Sequence, residues 1–334
     1  MAASGAYAGG GGVSRLPPAQ RGVALIVALL VLAIAVGLAA SMIRTNQQAI
    51  ERTERLLNQQ RADQVLAGAL QHAGQVLNSD SPAIDGPEDA WAVRRQNLPF
   101  GAARVSVDFA DLQGRFNLNT LVNAEGQPDP LAVARFRRLL NQLGLDAGLS
   151  DVVIDWIDPD QNPRPRGAED GHYQRSDPPY RTADRPLRTV TALRAVKGMD
   201  PRTYATLAPY VSALPASAGI NVNTADPVVM AAITGLRASM FGSRGGDGVW
   251  RSAARPVWPS LEQFQADPML EKAGEVDDDG LTVNSGYFLC HIVIELDGMR
   301  RERYVVFERG GGAQTPPRII AMSDLPCLTG FSCI

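Results

Sequence analysis

Asp158, Asp160 and Asn162 follow a D-x-D-x-N spacing, and Glu169 stands twelfth counting from Asp158. This is the ligand spacing of an EF-hand loop, in which hard oxygen donors surround a hard cation. The sixth position of such a loop needs glycine for its turn; here it is Pro163, so a true EF-hand is excluded. The oxygen cluster still suits a hard cation. Asp158, Asp160 and Glu169 are the first candidate ligands, followed by Asp155, Asn162, Asp170 and Asp177. His172 stands alone beside them, so zinc and copper have no histidine or thiolate set to bind. Glu275 with Asp277-Asp278-Asp279 forms a second acidic group of the same kind. The competing interpretation of residues 155–170 is a solvated loop with helix-capping aspartates.

Other chemistry finds less support. His72, His172 and His291 are far apart, and neither a G-x-S-x-G nucleophile motif nor a glycine-rich phosphate loop is present. No enzyme activity is expected. Cys327 and Cys333 flank Gly330 and can close a small disulfide loop in an oxidising compartment, whereas Cys290 lies in an apolar run and reads as a buried thiol. Leu193–Met199 and Ile220–Ala225 look like helix-hairpin-helix pieces, so a membrane-anchored DNA-binding or DNA-uptake protein is the alternative function. The balance of 32 basic against 35 acidic residues gives no cationic footprint for nucleic acid, and none is expected as a partner.

The elements that must position these groups begin with an apolar run from Val23 to Ile43, preceded by Arg15 and Arg21. At about 1.5 Å per helical residue it is long enough to cross a bilayer. A signal peptide, a plain signal anchor and a prepilin-like leader cut before the apolar run all remain open on this segment alone. Residues 44–78 contain no proline and repeat Ile50, Leu56, Leu57, Leu66, Leu70 and Leu77 at mostly helical spacing, so the helix is expected to continue as an amphipathic one. Residues 79–100 read as a connector. Arg104–Phe109 alternates as a strand, with Arg115–Asn119 as its candidate hairpin partner. Helical patterning follows over Leu131–Gly144, Ser150–Ile157, Val190–Val196 and Pro201–Ala208. Tyr287–Leu296 and Arg301–Glu308 then flank Asp297-Gly298, a strong hairpin signal. The economical fold is α+β: a long N-terminal helix packed on a small antiparallel sheet, with a large all-helical domain inserted between the strand pairs.

The chain resembles the GspK family, the large minor pseudopilins of bacterial type II secretion systems. The resemblance rests on Arg21-Gly22-Val23-Ala24-Leu25, on Phe116-Asn117-Leu118-Asn119, on Asp155–Asp158 through Gly167–Asp170 with Tyr173 and Pro179-Tyr180, and on Ile220–Ala225. It implies a structural subunit with a pilin-like fold and a SAM-like or helix-hairpin-helix-like insert. The implied division is a prepilin leader 1–22, a transmembrane half 23–43, an amphipathic helix with first strands 44–118, the insert 119–284, and C-terminal strands with a tail 285–334. It implies leader cleavage between Gly22 and Val23 with methylation, a single pass of the inner membrane, a periplasmic body and calcium in the insert. The implied partners are minor pseudopilins of the GspI and GspJ type, the major pseudopilin and the prepilin peptidase. Most pilins carry glutamate five residues after the cut, where this chain has Val27. A carboxylate in the bilayer is costly unless it is paired, and a subunit at the top of a filament has no neighbour above to pair with.

Overall fold

The computed structural model describes residues 18–81, 83–244, 250–252, 256–310 and 315–325. Cys327 and Cys333 lie outside the described residues. Helix α1 runs over Pro18–Ser79 without interruption. The chain divides into two compact units, the first ending at Arg61. The first unit is helix throughout its described part, and its large apolar side chains from Val23 to Ile43 are exposed. Among the described residues α1 is the one helix long and apolar enough to cross a membrane.

In the second unit, α1 buries Ala62, Leu66, Ala69, Ala73, Val76 and Leu77, an i, i+4, i+7 stripe rich in small residues. The stripe packs on a five-stranded antiparallel sheet of β1 (Arg95–Phe100), β2 (Ala103–Asp111), β3 (Tyr287–Leu296), β4 (Met299–Glu308) and β5 (Arg318–Ser323), ordered β1-β2-β3-β4-β5. Val107, Ile292 and Val305 are representative of the inward face. The β3–β4 turn is the two-residue turn signalled by Asp297-Gly298: both residues have positive φ, 48° and 78°, and Leu296 pairs with Met299. On the opposite face, Leu289, Tyr304 and Val306 pack against Leu214 and Ala218.

Ile50, Leu56 and Leu57 of the amphipathic stretch are exposed, and the stripe that packs on the sheet begins at Ala62. One expectation is corrected. The hairpin partner of β2 is β1, inside the segment read as a connector. Pro99 and the positive-φ residue Asn97 (56°) break its alternation, which only an edge strand tolerates. Phe116–Asn117 instead pairs in parallel with Val211–Ser212. Strand β5 lies in the segment 285–334 expected to hold C-terminal strands and a tail.

The chain leaves the sheet after β2 and returns at β3. Between them lie α2 (Pro130–Gln142), α3 (Leu149–Ile157), α4 (Asp170–Tyr173), α5 (Pro201–Leu207), α6 (Pro227–Thr234) and α7 (Leu261–Gln265), together with 3-10 turns. Aspartate followed by proline starts three of these helices: Asp129, Asp200 and Asp226 each accept hydrogen bonds from the first free backbone N–H groups. The insert is not purely helical. Two short parallel strand pairs and one antiparallel pair cross-link it.

Candidate metal centre

Helix α3 is buried along its whole length and ends in the acidic cluster. Asp155 sits on its last turn, fully buried, and Asp158 is its C-cap, with its backbone N–H donating to Ile154 O at 2.8 Å. Helix C-termini carry partial negative charge, so carboxylates gathered here are unfavourable without a cation. The loop then folds back. Asn162 N–H donates to Asp160 Oδ1 at 2.7 Å, and Arg164 N–H donates to Asp155 Oδ2 at 3.1 Å. Gly167 presses on the same carboxylate: a Cβ there would collide with Asp155 Oδ2, so a larger residue would have to displace that buried carboxylate.

This fold-back brings one oxygen each from Asp158, Asp160 and Glu169 within 4.8 Å of one another. Oxygen ligands on opposite sides of a calcium ion stand about 5 Å apart, twice a Ca–O distance of ~2.3–2.6 Å. Asp155 Oδ1, Asp158 Oδ1 and both Glu169 oxygens are buried without a hydrogen-bond partner. Arg164 is the cation beside the group, its Nε 3.9 Å from Asp155 Oδ1. Burial, then the charges of Asp160 and Asp155, push Asp158 up to about 7. Burial, then Asp155 and Asp158, push Glu169 up to about 8. Orphaned buried oxygens that repel one another and lack hydrogen bonds are a donor set suited to a hard divalent cation.

The other expected ligands are placed differently. Asp170 Oδ1 accepts from both the N–H and the hydroxyl of Thr182, at 3.0 and 2.9 Å, and pins the following loop. Asp177 is exposed and stands outside the converging carboxylates, and Asn162 is exposed. Asp184 was not foreseen. Its N–H donates to Trp156 O at 3.2 Å, its φ is +47°, and its charge helps raise both Asp158 and Glu169. No spacing rule marks it, because only the tertiary fold brings it to the end of α3.

The second acidic run behaves otherwise. The side chains of Glu275 and Asp277–Asp279 are exposed, and among the described residues they form no converging group. The backbone carbonyls of Asp277 and Asp279 accept from Arg135, both at 2.6 Å, so a guanidinium already occupies the inner side of that loop. Asp80, Asp85 and Asp89 do converge, but Arg309 is seated among them, 2.9 Å from Asp85 and 3.1 Å from Asp80. That group is an ion-pair network.

The two Asn-x-Asn motifs are structural anchors. Asn119 donates to the carbonyls of Leu187 and Leu214 and accepts from Leu187 N–H, while Asn117 accepts from Leu214 N–H. Asn223 accepts from Trp258 N–H at 2.8 Å and donates back to Trp258 O at 3.1 Å. All are buried. Ile220–Ala225 is therefore a short strand and a turn with inward side chains, not half of a helical hairpin.

Residues 114–216 match the family model for type II secretion system protein K, which covers the first part of the insert. The chain is 39% identical over 232 residues to type II secretion system protein K of Pseudomonas aeruginosa, covering 64% of this chain and 68% of that protein. It is 32% identical over 312 residues to the Aeromonas hydrophila protein K, covering 87% and 93%. Among solved structures, a chain of the GspK-GspI-GspJ complex of enterotoxigenic Escherichia coli superposes with a TM-score of 0.66 at 27% identity, covering 80% of this chain and 98% of that one. The sequence likeness and the shared α+β fold lead to one conclusion: this chain belongs to the type II secretion system protein K family.

Proposed function

We propose that the protein is a minor pseudopilin of a type II secretion system. It is anchored in the bacterial inner membrane by α1, with its body in the periplasm. A prepilin peptidase removes residues 1–22, leaving Val23 as the first residue. The protein stands at the tip of a short pseudopilus of major pseudopilin, joined to GspI- and GspJ-like partners, and nucleates assembly that supports export of folded proteins. The observation that carries this proposal is the likeness to a chain of the GspK-GspI-GspJ complex over 98% of that chain. Val27, where a shaft subunit would carry glutamate, supports a position with nothing above it. Calcium held by Asp158, Asp160 and Glu169, with Asp155 and Asp184 around them, supplies the positive charge that this end of α3 lacks and orders a loop too polar to pack by itself. The role is structural, and the fold's scaffolding asparagines support it.

The test is assembly. Co-expressed with GspI- and GspJ-like pseudopilins, the protein is expected to purify as a complex of all three. Gold-labelled antibody is expected to mark one end of each pseudopilus. Labelling along the shaft, or a protein that stays alone in the mixture, would overturn the proposal.

A further inference from the structure

Among the described residues strand β5 is the last strand of the sheet and pairs on one side only. Ile319, Ile320, Met322 and Leu325 on and beside it are exposed at 42%, 44%, 53% and 62%, a cluster unlike the rest of the second unit's surface. The opposite edge is closed to pairing: β1 holds Pro99 and the positive-φ residue Asn97. Strand β5 has no proline and no positive-φ residue; its one interruption is a bulge, which leaves Ala321–Ser323 beyond it as the regular edge. Its register shifts between Val306 and Phe307, so that Ile320 is the extra residue of a bulge. Ile320 lines a cavity of about 80 Å³ together with Arg188, Ser212, Leu214 and Val306. The Ser212 hydroxyl is buried with no hydrogen-bond partner, and Arg188 is exposed. The surface thus joins an open strand edge, an apolar seat, an unsatisfied hydroxyl and a cation.

We propose that this edge docks an extended segment of another protein. The segment adds beside β5 from Ala321 onward, seats one apolar side chain in the cavity under Ile320, and presents a carboxylate to Arg188. Main-chain hydrogen bonds supply affinity, and the cavity and the cation supply selectivity, as in other strand-addition complexes. This proposal goes beyond tip assembly, which concerns α1 and the family's known companions.

The probe is a fluorescein-labelled peptide of alternating valine and threonine ending in aspartate, titrated into the full chain in detergent micelles. Saturable binding is expected, weakened about tenfold or more by Ile320→Asp and by Arg188→Glu, which is about 1.4 kcal/mol or more. Gln96→Asp on the β1 edge should leave it unchanged. A peptide ending in lysine should bind as weakly as the Arg188→Glu variant binds the aspartate peptide. Thermal melts of each variant separate lost binding from lost folding. Absence of saturable binding would overturn the proposal. So would binding that appears only when the chain is shortened to end at Leu325, because residues 326–334 would then be the occupant.

Discussion

Calcium is expected to raise the melting temperature of the full chain, and Glu169→Gln to abolish the rise. A ligand at about 100 times its Kd stabilises the folded state by about 2.7 kcal/mol. For a unit of this size that corresponds to roughly 5–10 °C, at ~2–4 °C per kcal/mol. The effect depends on pH, and its sign follows from the site. Burial and neighbouring carboxylates raise Asp158 from 3.8 to about 7 and Glu169 from 4.5 to about 8 in the metal-free fold. Between those limits the folded chain holds protons that the unfolded chain has released. Metal-free stability therefore falls as pH rises from about 4 to about 8. Calcium displaces those protons, so its stabilisation grows as pH rises through 7 and 8 and vanishes near pH 5. Glu169→Gln removes a repelled charge, so the metal-free variant should match or exceed the parent at pH 8 while ignoring calcium. Melting curves with calcium or chelator at pH 5 and pH 8 check all of this. A parent protein equally stable in both media at pH 8 would leave the cluster a solvated loop.

Arg309→Leu should cost about 3–5 kcal/mol of stability at neutral pH, because it strands a buried carboxylate. Asp85 is fully buried and receives Ser285 N–H at 2.8 Å and the Trp91 indole at 3.1 Å, with Arg309 as its counter-charge. Burial raises Asp85 above its ordinary range, and Arg309 holds it down. The guanidinium also stacks 4.5 Å over the Phe288 ring, and the backbone N–H of Arg309, which the variant keeps, donates to Gly286 O at 2.7 Å where the insert rejoins the sheet. Without Arg309 the folded-state pKa of Asp85 rises further, so the deficit is largest above neutral pH and shrinks as acid neutralises the carboxylate. Asp85→Asn combined with Arg309→Leu should recover part of the loss, since the orphaned charge goes with it. Urea unfolding of the single and double variants at pH 5 and pH 8 measures this. A single-variant deficit that does not change with pH would show that packing on Phe288, not charge, is what Arg309 supplies.

Sequence reasoning succeeded where a local rule has a local consequence. Asp297-Gly298 made the turn that its residue types require, Gly144 ended a helix at φ +68°, and the acids of 158–169 met because a short loop between them doubles back. It failed where the outcome depends on distant partners. Strand β1 looks like a connector because Pro99 and Asn97 suit an edge and nothing in between. Ile50, Leu56 and Leu57 share the helical spacing of Leu66 and Leu77 yet stay exposed, because spacing cannot say which stretch of a long helix has a sheet beneath it. Asp184 and Arg309 have no neighbours in sequence that reveal them. Each is fixed by a backbone contact or a counter-charge made far along the chain. The setting of the run at 277–279 is hidden for the same reason, since Arg135 arrives from α2 to take its carbonyls.

The most direct test of the central claim is the mature N-terminus, read by intact-mass spectrometry on protein made with and without prepilin peptidase. A start at Val23 that depends on the peptidase is the predicted result and places the chain among the processed pseudopilins. A start near residue 40, or an unprocessed chain in both preparations, would contradict it and leave an anchored or secreted protein with no route into a pseudopilus.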